Sequence, residues 1–398
     1  MSTHGMAKRS VTAVLVVALL GGSLRLPVAR AEGEWEITPE SQRALERGLE
    51  WLARNQGPQG NWSSNDLGLV ALGALAFLAD GHMPGRGRYG ENVDRALDYL
   101  LRHAKPVGEP DATGHPPLYL LNKADPGRDM YNHGLATFVL GQAYGMTDDP
   151  RLSPVLARSL RLIAATQCND GGWDYHAARK DRGHDLSLAV MQAKALRSAV
   201  DSGLEVPPEV INLAIQSVRG YYRARGGRPG MDESALRKLP GQFTYNGSQA
   251  TLAMAAAGVV CLQEFGQYDD WRIPKSMEVI TAAVKKLPEE HRSDQVPFGS
   301  YALYYVGQAL YQVGGKDWRE CYPILRDALV RSQRYRKDQP DDPNNGLWHD
   351  SGPFRVGGKP GDLFGTSVAC FILAMPNRYL PILQEGKIES LRADTASN

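Results

Sequence analysis

Apolar and polar positions follow two helical rhythms that alternate along this chain. In the run that includes Ser159, Leu160, Leu162, Ile163 and Ala164, the apolar side chains suit a helix that packs one face. That helix stops at Gln167-Cys168-Asn169-Asp170-Gly171-Gly172-Trp173, where two glycines break it. A second run then opens behind His184-Asp185. Leu186, Leu188, Ala189, Val190, Met191, Ala193, Ala195 and Leu196 make it apolar nearly all round, with Asp185 placed as its N-cap. Such a helix has to be buried. A one-faced helix followed by an all-apolar one predicts a double-layered ring, the first kind outside and the second inside.

The same alternation predicts six pairs, hence an all-α (α/α)6 toroid over residues 32–386. Outer helices are expected near Ser41–Asn55, Glu91–His103, Pro154–Thr166, Pro208–Arg223, Lys275–Leu287 and Trp318–Arg334. Inner helices are expected to begin near Asp66-Leu67, Asn132-His133-Gly134, Asp185-Leu186, Asn246-Gly247-Ser248, Phe298-Gly299-Ser300 and Phe364-Gly365-Thr366. Three long connections, Lys105–Met130, Arg223–Thr244 and Lys337–Asp362, all run from an outer helix to its inner partner. They share one end of the ring, where they serve either as a lid or as solvated connectors. Before the ring, Lys8-Arg9, the apolar run Val11–Leu20 and Ala29-Arg30-Ala31 read as a signal peptide over 1–31. The protein is therefore expected to be exported, periplasmic or extracellular, with no stable transmembrane segment after cleavage. Residues 387–398 read as a polar disordered tail.

With 45 basic against 44 acidic residues in 398, charge points to neither nucleic acid nor an anionic surface. Cys168, Cys261, Cys321 and Cys370 lack the paired spacing of zinc or redox motifs, so buried free thiols are expected and no metal or cofactor is implied.

An internal repeat sharpens the fold. Arg47, Gln56, Gly60 and Trp62 recur 111 residues later as Arg158, Gln167, Gly171 and Trp173, at identical spacing. Gly346-Leu347-Trp348 keeps part of the pattern after a longer insertion. This pattern resembles the glutamine-tryptophan repeats of squalene and terpenoid cyclases, whose toroid is shared with protein prenyltransferase beta subunits. The resemblance implies that glutamine and tryptophan tie the end of an outer helix to the next inner helix. It does not extend to the catalytic signatures of those enzymes. No Asp-x-Asp-Asp element is present, and the last inner helix opens with Phe364-Gly365-Thr366 where the prenyltransferases place a zinc-binding histidine.

Candidate chemistry concentrates where the inner helices begin, because their N-termini converge on one mouth. Asp66, His133, His184 and Asp185 are the candidate acid and base groups, and Tyr131, Asn132, Tyr245, Asn246, Phe298 and Phe364 the expected lining. Each also has a structural reading as a cap or packing residue. Equivalent positions on the second and third inner helices make His133 and His184 potential neighbours. The sequence leaves three functions open. The first is an exported cyclase-like toroid without catalysis that binds an apolar ligand or a protein partner. The second is a glycan hydrolase or lyase on an α/α barrel, and the third a divergent terpenoid cyclase.

Overall fold

The computed structural model describes residues 35–122, 129–290, 295–350 and 361–384. The expected signal peptide, the tail over 387–398 and part of the third long connection lie outside the described residues. In chain order, α1 (Pro39–Asn55) pairs with α2 (Leu67–Ala79), and α3 (Gly90–Arg102) leads through a hairpin of β1 (Ala104–Pro106) and β2 (Leu118–Leu120) to α4 (Asp129–Tyr144). Next come α5 (Leu152–Ala165) with α6 (Leu186–Asp201). The fourth pair opens with α7 (Pro208–Gly220), continues through β3 (Tyr222–Ala224), the short α8 (Glu233–Leu236) and β4 (Gly241–Phe243), and closes with α9 (Leu252–Glu264). The last two pairs are α10 (Arg272–Glu290) with α11 (Ser300–Val313), and α12 (Gly315–Ser332) with α13 (Asp362–Ala374).

Local chemistry explains these boundaries. Thr38 and Ser41 form a reciprocal capping box at α1, at 3.1 and 2.9 Å, with Pro39 in the first turn where its missing N–H costs nothing. Every residue of α2 is buried, the fate of a helix with no polar face. Inner helices pack in the order α2, α4, α6, α9, α11 and α13, and α13 returns to α2. That closure makes an all-α toroid, as its residue pattern predicts. Among the described residues no helix is long and apolar enough to cross a membrane, and all four cysteines are free and buried.

Three inner helices begin elsewhere than expected, α4 opening at Asp129, three residues before Asn132. Thr251 caps α9 by accepting from the Met254 amide at 3.2 Å, whereas Asn246 lies six residues before the first helical residue, in an exposed turn held by Ser248. α13 starts at Asp362, two residues before Phe364. The β-hairpins β1–β2 and β3–β4, antiparallel with Ala104 opposite Leu120 and Tyr222 opposite Phe243, give the described parts of the first two long connections local pairing.

The repeat motif proves to be a clamp between units. Gln167 Nε2 donates to Gly171 O at 3.0 Å and to Val210 O of the next outer helix at 2.9 Å. Gln56 does the same with Gly60 O and Asn92 O. A third copy, without the arginine, uses Gln333, whose amide reaches Gly346 O at 2.9 Å and Ala44 O at 2.8 Å, so the motif also joins the last unit to the first. Each tryptophan turns back on its own outer helix: Trp62, Trp173 and Trp348 donate Nε1–H to Leu52 O, Ile163 O and Leu329 O at 2.7–2.8 Å. Contrary to the tie expected from the resemblance, the glutamine reaches the next outer helix rather than the next inner one. Gly171, at φ +85°, must be glycine, since a Cβ there would collide with the Leu213 carbonyl. Gln167→Ala is expected to destabilise the ring by about 2 kcal/mol, because two buried carbonyls lose their donor. Urea unfolding of the variant measures it.

Candidate functional site

At the mouth, the loop between α5 and α6 is pinched shut at its base. A Cβ on Gly183 would sit 2.7 Å from Gly172 Cα, so the two strands of the loop touch there. His184 N then donates to Trp173 O at 2.8 Å, and Leu186 N to Tyr245 O at 3.0 Å, fixing both sides of the first turn of α6. Asp185 is held in this frame with its side chain fully buried. Its Oδ1 accepts from Ser187 N at 2.8 Å, Leu188 N at 3.3 Å and the Ser187 hydroxyl. Its Oδ2 lies 2.7 Å from His184 Nδ1.

That second contact sets the chemistry of the imidazole. A carboxylate only accepts, so Nδ1 carries the proton and Nε2 is left as the basic nitrogen. The His184 side chain is 51% exposed, and its Nε2 has no hydrogen-bond partner among the described residues. Tyr175 packs edge-on against the ring at 4.8 Å. The Tyr175 hydroxyl meets Tyr245 Oη at 2.9 Å and Ser187 Oγ at 3.3 Å. Burial pushes the Tyr175 pKa above the usual phenol range; burial followed by the hydrogen bond to Asp185 does the same to Tyr245. Both hydroxyls therefore stay protonated, as donors around the dyad.

Tyr131 and Tyr305 share a hydroxyl contact at 3.2 Å, and Tyr301 stands edge-on to Tyr305. A small void of about 20 Å³ is lined by Gly68, Leu72, Tyr131, Asn132, Tyr304 and Phe364, room for about one water.

A second dyad occupies the start of the sixth inner helix. His349 Nδ1 lies 2.8 Å from Asp362 Oδ1, with both side chains half exposed. Because α6 is third and α13 sixth around the ring, the two dyads stand on opposing units.

The other sequence candidates fall elsewhere. Asp66 caps α2, its Oδ1 accepting from Leu69 N at 3.0 Å, and is buried. His133 is not beside His184. It is fully buried in the wall, where Nδ1 accepts from Leu120 N at 3.1 Å and Nε2 donates to Ser159 O at 3.2 Å. Asn132 is buried against Gly68, Asn246 is exposed on the rim, and Phe298 sits just before α11 at φ +61°, a left-handed backbone that is strained for an aromatic residue. Sequence reasoning missed Tyr175, Ser187, Tyr301, Tyr305 and the His349–Asp362 pair. The signal for His349 was its place directly after Trp348, in the third copy of the motif. Among the described residues no three His, Cys, Asp or Glu side chains are grouped to hold a metal ion.

Burial pulls the His133 pKa down to about 4, partly offset by the bond to Ser159. A histidine depressed below its unfolded value of about 6.5 gives stability that is present above that value and lost as pH falls through the folded one. Acidification from pH 6.5 to 4 is thus expected to remove about 3 kcal/mol through His133 alone. Urea unfolding at several pH values should show this slope, and it should flatten in His133→Gln.

No family model matches this chain, and no curated protein does. Solved structures do. A cellobiose 2-epimerase from Bacillus thermoamylovorans is similar at TM-score 0.51 and 11% identity, covering 84% of this chain and 98% of its own. An inactive variant of an alpha-1,6-mannanase from Salegentibacter sp. HEL1_6, in complex with alpha-1,6-mannotetrose, is similar at TM-score 0.52 and 9% identity, covering 87% of this chain and 100% of its own. At these identities the likeness is one of fold, and it supports the toroid without supporting membership of the terpenoid cyclase-like family.

Proposed function

We propose that this chain is a glycan-processing enzyme whose mouth takes a sugar and moves a proton on it through His184. The observation that carries the reading is the buried Asp185 holding the half-exposed His184 by Nδ1, with Nε2 left basic. A solvent-facing imidazole locked in one tautomer is the arrangement a general base requires. Asp185 itself is poorly suited to hydrolysis by paired carboxylates, because both its oxygens are already engaged and out of reach of solvent. Proton abstraction next to a sugar carbonyl or carboxylate, leading to epimerisation or to elimination, suits the histidine better. The His349–Asp362 dyad on the opposing unit would be the second acid–base group, and the protonated tyrosines beside His184 would donate to the developing oxyanion.

The two similar structures support this class, one being an epimerase of cellobiose and the other a mannanase with a bound mannooligosaccharide. This displaces the non-catalytic cyclase-like toroid as the favoured reading. The apolar run and Ala29-Arg30-Ala31 before the ring fit a protein that meets glycans outside the cytoplasm.

The test is turnover of cellobiose, alpha-1,6-mannobiose and uronate oligosaccharides in deuterated water. Proton abstraction predicts deuterium on the sugar carbon beside the carbonyl, or an unsaturated product. Cleavage without carbon-bound deuterium would transfer the site to hydrolysis, and neither binding nor turnover would return the chain to a non-catalytic ring.

A further inference from the structure

The opposite pole of the ring carries a cleft of about 760 Å³ where α6, α9 and α11 end, about 18 Å along α6 from Asp185 by helical rise. Its volume is that of a small-molecule site. Polar groups point into it unused. Glu264 is 1% exposed, and its Oε1 takes Lys194 Nζ at 2.9 Å and Gln312 Nε2 at 2.7 Å. Its Oε2 takes no hydrogen bond among the described residues, although the residue lines the cleft. Gln263, 7% exposed and also in the lining, has a side-chain amide with no hydrogen bond among the described residues. Gln312 Oε1, also in the lining, is buried and accepts no hydrogen bond among the described residues, whereas buried polar atoms are ordinarily satisfied. A buried acceptor without a donor, beside a carboxylate oxygen and an amide that face the same cleft, indicates a ligand that completes them.

Charge and wall chemistry narrow its class. The cations near the cleft are each matched by an anion: Lys194 by Glu264 at 2.9 Å, Arg197 by Asp201 at 2.7 Å and Arg378 by Glu36 at 3.0 Å. No formal charge is therefore left for an ionic ligand to neutralise. The walls add aromatic rings, with Tyr268 exposed at the edge and Tyr311 deeper. Open acceptors and amides beside aromatic surface suit hydroxyl groups on a compact body with apolar C–H faces. We infer that this cleft is a second binding site, for a short neutral saccharide, built independently of the acid–base groups at the mouth.

Hydrogen exchange with maltose and sucrose tests it, read separately over 263–271 with 311–318 and over 174–187. The saccharide is expected to slow exchange in the first two segments. Gln263→Ala and Tyr268→Ala, which leave the buried Lys194–Glu264 pair intact, should each weaken that protection about 3–10-fold in half-saturating concentration, the loss of a neutral hydrogen bond or ring contact. Gluconate and glucosamine should protect less than the neutral sugars. Protection confined to 174–187 would overturn this site while leaving the mouth reading intact. Protection at 263–271 unaltered in both variants, or stronger with the charged sugars, would overturn it as well.

Discussion

Lys194→Met is expected to destabilise the ring by about 3–5 kcal/mol, the cost of leaving one member of a buried ion pair without its partner. Lys194 is fully buried in the middle of an inner helix, its Nζ 2.9 Å from Glu264 Oε1 and 5.1 Å from the centroid of the Phe138 ring. Removing the ammonium strands a carboxylate that is 1% exposed, with only the Gln312 amide on the same oxygen. Removing both charges should be far milder. In Lys194→Met/Glu264→Gln the desolvation of two ions disappears together with their attraction, so the double variant should return to within about 2 kcal/mol of the parent. Urea unfolding of the parent, both single variants and the double variant gives the coupling directly. A single-variant cost below about 1 kcal/mol would mean that water already reaches the pair.

This pair also marks where the sequence stops being legible. The architecture could be read because an inner helix must be apolar around its whole circumference, and α2 and α9 satisfy that almost without exception. The motif was equally readable in two copies, since its glutamine, glycine and tryptophan act over fixed local spacing. Its third copy was hidden by the insertion between Gln333 and Gly346, which lengthens the loop without moving either contact. Lys194 and Glu264 were invisible for a different reason. They lie 70 residues apart, and each looks like an exposed residue on its own helix until the ring brings α6 against α9.

The mouth divides in the same way. His184 and Asp185 are adjacent in sequence, so one turn of backbone brings them together and their candidacy needed no fold. His133 was read as its equivalent, but it is the fifth residue of α4 and lies in the wall, where the β1–β2 hairpin presents Leu120 N to its ring. Periodicity carries no information about that hairpin pairing. The His349–Asp362 dyad spans 13 residues and depends on α13 beginning before Phe364.

His184→Ala is expected to lower turnover of the responsive sugar by about 10²–10⁴-fold, the range a positioned general base contributes. The loss should fall on kcat, with KM nearly unchanged, because the imidazole acts on the proton rather than on the hydroxyls that hold the substrate. Tyr175→Phe removes one hydroxyl beside Ser187 and Tyr245 while keeping the ring against His184, so it should cost only about tenfold. Asp185→Asn separates positioning from proton transfer. An asparagine can still cap α6 through its carbonyl, but it no longer stabilises the imidazolium that forms when Nε2 takes a proton. That variant should fold and bind sugar like the parent yet approach His184→Ala in rate. Deuterium incorporation should fall in parallel with turnover in both. If His184→Ala turns over at the parental rate, the proton is handled elsewhere in the mouth; the His349–Asp362 dyad is then the next group to remove, and the role assigned to His184 is withdrawn.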